Sequence, residues 1–164
     1  MPEVNKEYFV EMVFKHIAII YKICNMYAEE SEKSDLQQEI IYQLWKSYPS
    51  FKGEAKFQTW MYRVALNTAL LGLRASKKSL EVSDNDIEIS HEPSEDYEME
   101  MQIKQLYFHI SNLNDIDKAI TFLYLEQCSY EEISEILGLT VKNISVRIVR
   151  IKEKLRKMFN NKTI

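Results

Sequence analysis

Ser129-Tyr-Glu-Glu-Ile-Ser-Glu-Ile-Leu-Gly-Leu-Thr-Val-Lys-Asn-Ile-Ser-Val-Arg-Ile-Val-Arg150 holds two helix starts and one helix stop. Ser129 and Glu132 make the S-x-x-E pattern of a capping box, which opens a short helix over 130–137. Gly138 stands where a helix C-terminus favours a left-handed residue. Thr140 is the cap of a second helix, running from Val141 to about Met158. A short capped helix, a glycine turn and a longer helix make a helix-turn-helix. Small Ser134, four residues before Gly138, suits a close approach of the two crossing helices. On a wheel of 100° per residue, Val141, Ile144, Ile148, Ile151, Leu155 and Met158 cluster within about 80° and form the expected buried face. Lys142, Val146, Val149, Arg150 and Lys157 lie opposite, with Asn143, Ser145 and Arg147 on the flanks. That mixture suits the major groove, where Arg pairs with guanine, Asn with adenine, and Val touches a thymine methyl. A solvated basic face that satisfies the helix macrodipole would look similar, and Lys154, Arg156 and Lys157 need no other reason.

The charge of the whole chain gives no hint of such a partner. Its 164 residues carry 21 Lys+Arg and 25 Asp+Glu, a net charge of −4. The average covers three unlike parts: +2 over residues 1–78, −9 over 79–100 with no Lys or Arg, and +3 over 101–164. Residues 140–164 hold eight basic groups and only Glu153, giving +7. The acidic run, poor in apolar groups and containing Pro93, reads as a linker between two small domains, 1–78 and 101–164. Only three Gly and three Pro occur, against roughly 11 and 8 at average usage. That excludes a turn-rich sandwich or barrel and a Gly-rich phosphate cradle. Cys24 and Cys128 cannot form a disulfide framework. No apolar run approaches the ~18 residues of a membrane span, so the expectation is a cytoplasmic, all-α protein without membrane insertion. His16, His91 and His109 are scattered without metal-ligand spacing and read as satisfied or solvated side chains. Neither a metal, a cofactor nor an enzymatic centre is expected.

Apolar groups at helical spacing predict one helix over 5–28. A second spans 35–48, capped by Ser34 or Asp35 and stopped by Pro49. A loop over 49–56 pivots on Gly53, and a helix follows over 57–75, weakened near its end by Gly72. Helices over 100–112 and 115–127 precede the capping box. The loop and the helix after it interleave cations with rings: Phe51, Lys52, Lys56, Phe57, Trp60, Tyr62, Arg63 and Asn67. Such a surface suits unpaired bases, which stack on rings while cations hold phosphates. Phe57, Trp60 and Met61 also fall on the apolar stripe and equally read as core.

Five stretches carry a resemblance. Asp35-Leu-Gln-Gln-Glu-Ile-Ile-Tyr-Gln-Leu-Trp45, Phe51-Lys-Gly and Phe57-Gln-Thr-Trp-Met-Tyr-Arg-Val-Ala-Leu-Asn67 resemble region two of an extracytoplasmic-function sigma factor. Leu123-Tyr-Leu-Glu-Gln-Cys-Ser-Tyr-Glu-Glu-Ile-Ser-Glu-Ile-Leu-Gly-Leu139, with Thr140-Val-Lys-Asn-Ile-Ser-Val-Arg147, resembles its region four. The resemblance implies a bacterial transcription initiation factor whose partners are core RNA polymerase, promoter DNA and an anti-sigma factor. It implies that Asp35, Gln38 and Glu39 face polymerase. Lys52, Lys56, Phe57, Trp60, Arg63 and Asn67 would serve the minus-ten element, the loop around Lys56 holding a flipped base together with Asn67. Lys142, Asn143, Ser145, Val146, Arg147, Val149 and Arg150 would line the minus-35 groove. Region two of the family often ends in a dense basic cluster, whereas this chain has Arg74-Ala-Ser-Lys-Lys78. An operator-binding helix-turn-helix regulator and a protein-interaction bundle are the alternative readings.

Overall fold

The computed structural model describes residues 5–76 and 95–161. Among these it is helical throughout, without a strand: α1 (Lys6–Lys15), α2 (Ile17–Tyr27), α3 (Lys33–Ser47), a 3₁₀ turn (Tyr48–Ser50), α4 (Phe57–Ser76), α5 (Glu95–Ser111), α6 (Asp115–Leu125), α7 (Tyr130–Leu137) and α8 (Val141–Asn160). They divide into two compact units, α1–α4 with Glu135–Gly138, and α5–α8 without that stretch. None of the described helices is long and apolar enough to cross a membrane. The acidic stretch before Glu95, and Lys77 and Lys78 of the basic cluster, lie outside the described residues.

In the first unit α2, α3 and α4 pack pairwise. Ile20, Ile23 and Cys24 meet Ile40, Leu44, Met61 and Leu66 in a fully buried core. The single helix expected over 5–28 is broken at His16, whose φ of −114° and ψ of 20° leave the helical region. The buried positions Phe9, Val13, Ile20, Cys24 and Tyr27 stay in phase across the break, so periodicity cannot reveal it. α3 starts earlier than expected, at Lys33, and neither Ser34 nor Asp35 is its cap. The preceding Glu32 is already αR and makes no side-chain cap bond. Asp35 instead lies in the first turn, where a carboxylate suits the positive end of the dipole. Pro49 sits inside the 3₁₀ turn, where its missing N–H costs nothing.

Rings hold the loop that follows. Phe9 meets Trp45 at 5.1 Å and Tyr48 at 4.9 Å. Phe51 lies 5.0 Å from Trp60 and 5.7 Å from Phe57, and Phe57 lies 5.2 Å from Trp60. His16 stacks on Phe57 at 6.3 Å. Burial, and then Lys15, lower the pKa of His16. Gly53 turns the loop at φ +73°.

In the second unit α5, α6 and α8 pack on one another, with Ala119, Ile120, Leu123 and Ile144 fully buried. α5 begins at Glu95, so residues 95–100 of the expected linker are helical. Asp96 and Glu98 follow early in the helix, where acids are favoured by the dipole, and Glu and Met are good helix formers. His109 is buried rather than solvated. It is 5% exposed, packs edge-on against Phe159 at 4.9 Å, and its Nε2 has no hydrogen-bond partner among the described residues. The capping box is present in both directions: Ser129 N–H donates to Glu132 Oε2 (2.9 Å), and Glu132 N–H donates to Ser129 Oγ (3.1 Å). Gly138 is left-handed at φ +70°. Thr140 Oγ1 accepts from Asn143 N–H at 3.1 Å. Ser134 does more than leave space, since its hydroxyl donates to the Leu139 carbonyl. Ile144, Ile148 and Ile151 of the expected buried face of α8 are buried, but Val141 is 39% exposed. It sits in the first turn, at the corner.

Burial pushes both thiols up to about 11; Glu132 and Glu126 add to the effect at Cys128.

α6 ends at Leu125, two residues before its expected end. Gln127 adopts φ +63°, Cys128 N–H donates to the Leu123 carbonyl and Gln127 N–H to that of Tyr124. This is the double-bonded left-handed helix stop, which normally uses glycine. Gln127→Gly should therefore stabilise the unit by about 0.5–1 kcal/mol, the strain relieved exceeding the added chain entropy. The check is a rise in the urea midpoint of this unit at constant m-value.

Candidate nucleic-acid interface

Thr140 fixes the start of α8, and Ile144, Ile148 and Ile151 fix its rotation, so the opposite side must face solvent. Lys142, Asn143, Val146, Val149 and Arg150 are exposed there, Val149 by 63%, while Ser145 and Arg147 are half-buried. Lys142, Asn143, Val146, Arg147 and Arg150 line one open cleft together with Thr140 and two residues from the start of α6, Asn114 and Asp117. Ser145 and Val149 do not line it.

Asn114 and Asp117 are absent from the sequence reading. Asn114 Oδ1 caps α6 by accepting from Asp117 N–H at 2.9 Å, and Asn114 Nδ2 donates to Asp117 Oδ2 at 3.0 Å. The N-x-x-D spacing was available as a capping signal of the same kind as Ser129–Glu132. Nothing in the sequence, however, shows that Asp117 meets Arg147. Arg147 Nη1 donates to Asp117 Oδ1 at 2.9 Å, and Arg147 Nε donates to Asn143 Oδ1, also at 2.9 Å. One lone pair of the Asn143 carbonyl is thus taken by Arg147, which orients the amide while its Nδ2 donors remain for other partners. Further along, Lys152 Nζ lies 2.9 Å from Tyr124 Oη and 4.7 Å from the ring centroid, and this bond raises its pKa.

The first unit presents a second polar face. Lys56, Trp60, Arg63 and Asn67 follow one another at steps of four, three and four, which puts them on one side of α4. Lys52, Lys56, Arg63 and Asn67 are exposed and Trp60 is half-buried. Phe57 differs from the expectation: at 6% exposure its ring belongs to the core, where it supports Phe51 and Trp60. Lys56 and Asn67 also do not share one pocket. Eleven residues of helix put them about 16 Å apart along the axis, and Asn67 lies in a cleft between α3 and α4 with Glu39, Gln43 and Leu71.

Asp35, Gln38 and Glu39 are exposed on α3, Glu39 Oε1 accepting from Gln43 Nε2 at 2.9 Å. Tyr42, 55% exposed, continues their face at helical spacing. Among the described residues, no three His, Cys, Asp or Glu side chains converge as metal ligands do.

Comparison with known proteins covers the whole of this architecture. The family model for sigma-70 region 2 matches residues 13–79, and that for sigma-70 region 4 matches residues 117–155. The ECF RNA polymerase sigma-E factor of Haemophilus influenzae is 30% identical over 91% of this chain and 86% of its own length. The protein of the same name from Escherichia coli K12 is 29% identical over 91% and 85%. Two solved structures share the fold. The sigma factor RpoE of Bartonella quintana, in complex with the anti-sigma factor NepR, has a TM-score of 0.75 at 15% identity over 94% of this chain and 98% of that one. CnrH in complex with the cytosolic domain of CnrY has a TM-score of 0.68 at 18% identity over 96% and 90%. With both polar helix faces falling inside the two matched regions, and a relative of this similarity spanning nearly the full chain, the protein belongs to the ECF family of RNA polymerase sigma factors.

Proposed function

We propose that the two helix faces are the two promoter contacts of this sigma factor, used when it is joined to core RNA polymerase. The observation that carries the assignment is the pairing of unlike chemistries in one chain. The α8 side mixes Lys142, Arg150, Val146 and Val149, groups suited to base edges and methyls of a closed duplex. The α4 side mixes exposed cations with the Trp60 ring on a frame of packed aromatics, which suits an unpaired strand. Residues 101–164 then read the minus-35 element, and residues 1–78 open the minus-ten element. On this reading Lys52, Lys56 and Arg63 hold phosphates, Trp60 offers a ring edge, and Asn67 serves a base further along the strand. Asp35, Gln38, Glu39 and Tyr42 form the face toward polymerase. The protein has no catalysis of its own: polymerase makes the transcript, and this chain selects where. Its place is the cytoplasm, with polymerase. An anti-sigma factor is a further partner, by analogy with the complexes of RpoE with NepR and of CnrH with CnrY. An operator-binding regulator would leave the region 2 match over residues 13–79 without a use.

The net charge of −4 disfavours tight DNA binding by the chain alone, because affinity for duplex comes mainly from phosphate neutralisation. Transcription of a promoter library should therefore require both the protein and core polymerase. A protein that gave no promoter-specific transcript with matched core polymerase would refute the assignment. In that assay Arg150→Ala should lose roughly 1–3 kcal/mol, a five- to 150-fold fall, and relax preference at one minus-35 base. A uniform loss over all sequences would make it a phosphate contact. Asn67→Ala should slow promoter opening, read by permanganate reactivity of unpaired thymines, more than it weakens the closed complex. Equal effects on the two steps would remove Asn67 from the melted strand.

A further inference from the structure

A carboxylate stands inside the cleft of α8. Asp117 is only 19% exposed by side chain, yet it lines the same open cleft as Lys142, Arg147 and Arg150. Near two phosphate strands a lone Asp would repel the ligand, so its presence there needs a reason. Its two oxygens are both engaged: Oδ2 by Asn114 of its own helix cap, and Oδ1 by Arg147, thirty residues away on α8.

We infer that Asp117 is a specificity-determining positioning residue that acts through Arg147. The inference rests on the reading of α8 as the minus-35 contact. A guanidinium is planar, and two anchored nitrogens on it define the plane. Arg147 has both anchors before any DNA arrives: Nε on Asn143, one turn earlier on its own helix, and Nη1 on Asp117. A free arginine at a groove wall defaults to the nearest phosphate, which carries no sequence information. Asp117 competes for the fork with the same charge-assisted geometry a phosphate would use. It holds the group at the wall of the cleft that Lys142, Val146 and Arg150 also line, which leaves the remaining N–H donors for a base edge. Asn143 then works as the second anchor rather than as an independent reader. Asn114 keeps Asp117 in place by closing its second oxygen, so the α6 cap and the α8 reading face are one network.

The test uses the full chain with core polymerase and a promoter library randomised over the minus-35 element, with melting temperatures measured in parallel. Arg147→Ala identifies the base position that Arg147 reads. Asp117→Asn removes the charge and keeps the shape, and Asn143→Ala removes the other anchor without touching the α6 cap. Both should broaden preference at that same position by about five-fold or more, while preference at the other minus-35 positions stays as it is. Asn143→Asp, which retains the acceptor for Nε, should restore the preference. Equal loss on every promoter, following a lower melting temperature, would reduce Asp117 to a structural ion pair and overturn the inference. So would an unchanged profile in Asp117→Asn where Arg147→Ala erases one position. If Arg147→Ala changes no base preference at all, the base-reading role of Arg147 itself is lost, and the inference falls with it.

Discussion

The corner between α7 and α8 is three residues long, Gly138, Leu139 and Thr140, and the exposed polar side of α8 depends on how those residues dispose of two helix ends. Helix termini leave backbone groups without partners, and a corner this short has little room for water. Gly138 turns the chain at a positive φ, Ser134 covers the carbonyl of Leu139, and Thr140 covers the amide of Asn143. Each bond fixes one degree of freedom of the turn. Three isoleucines then fix the rotation of α8, and what remains outside is the polar face. The exposed polar face of α8 is thus a by-product of satisfying a corner and filling a core.

The other unit solves a different problem. Its loop between the 3₁₀ turn and α4 has one left-handed glycine and few backbone bonds of its own, so it must be placed by side chains. The ring series Trp45, Phe9, Tyr48, Phe51, Trp60 and Phe57 joins α1, α3, the loop and α4 through contacts of 4.9–6.5 Å. Edge and tilted ring contacts have directional preferences, so this packing constrains loop orientation in a way aliphatic contacts would not. The exposed cations gain a fixed base from it, and Phe57 supports Phe51 and Trp60 from beneath.

What the sequence made legible was whatever is encoded locally. The Ser129–Glu132 box, the Gly138 turn and the Thr140 cap all follow from spacing and residue type, and all are present. The break at His16 was hidden because the buried stripe keeps its phase on both sides. The end of α6 was hidden because the left-handed position carries Gln127 rather than glycine. The start of α5 was hidden because its acids and Pro93 give linker composition. The site shows the same division. Exposure of Lys142, Val146, Val149 and Arg150 follows from a helical wheel. The coupling of Arg147 to Asp117 does not, because it joins residues thirty apart that only tertiary packing brings together. Phe57 was ambiguous for an equally physical reason: the same ring pattern fits a core and a stacking platform.

The two thiols bear on how this factor can be told to act. Cys24 lies fully buried between three helices, and Cys128 follows the left-handed stop of α6; both are held far above neutral pKa by burial. Peroxides and disulfides react with thiolates, and at cellular pH these side chains supply almost none. Both thiols are therefore poor nucleophiles at neutral pH.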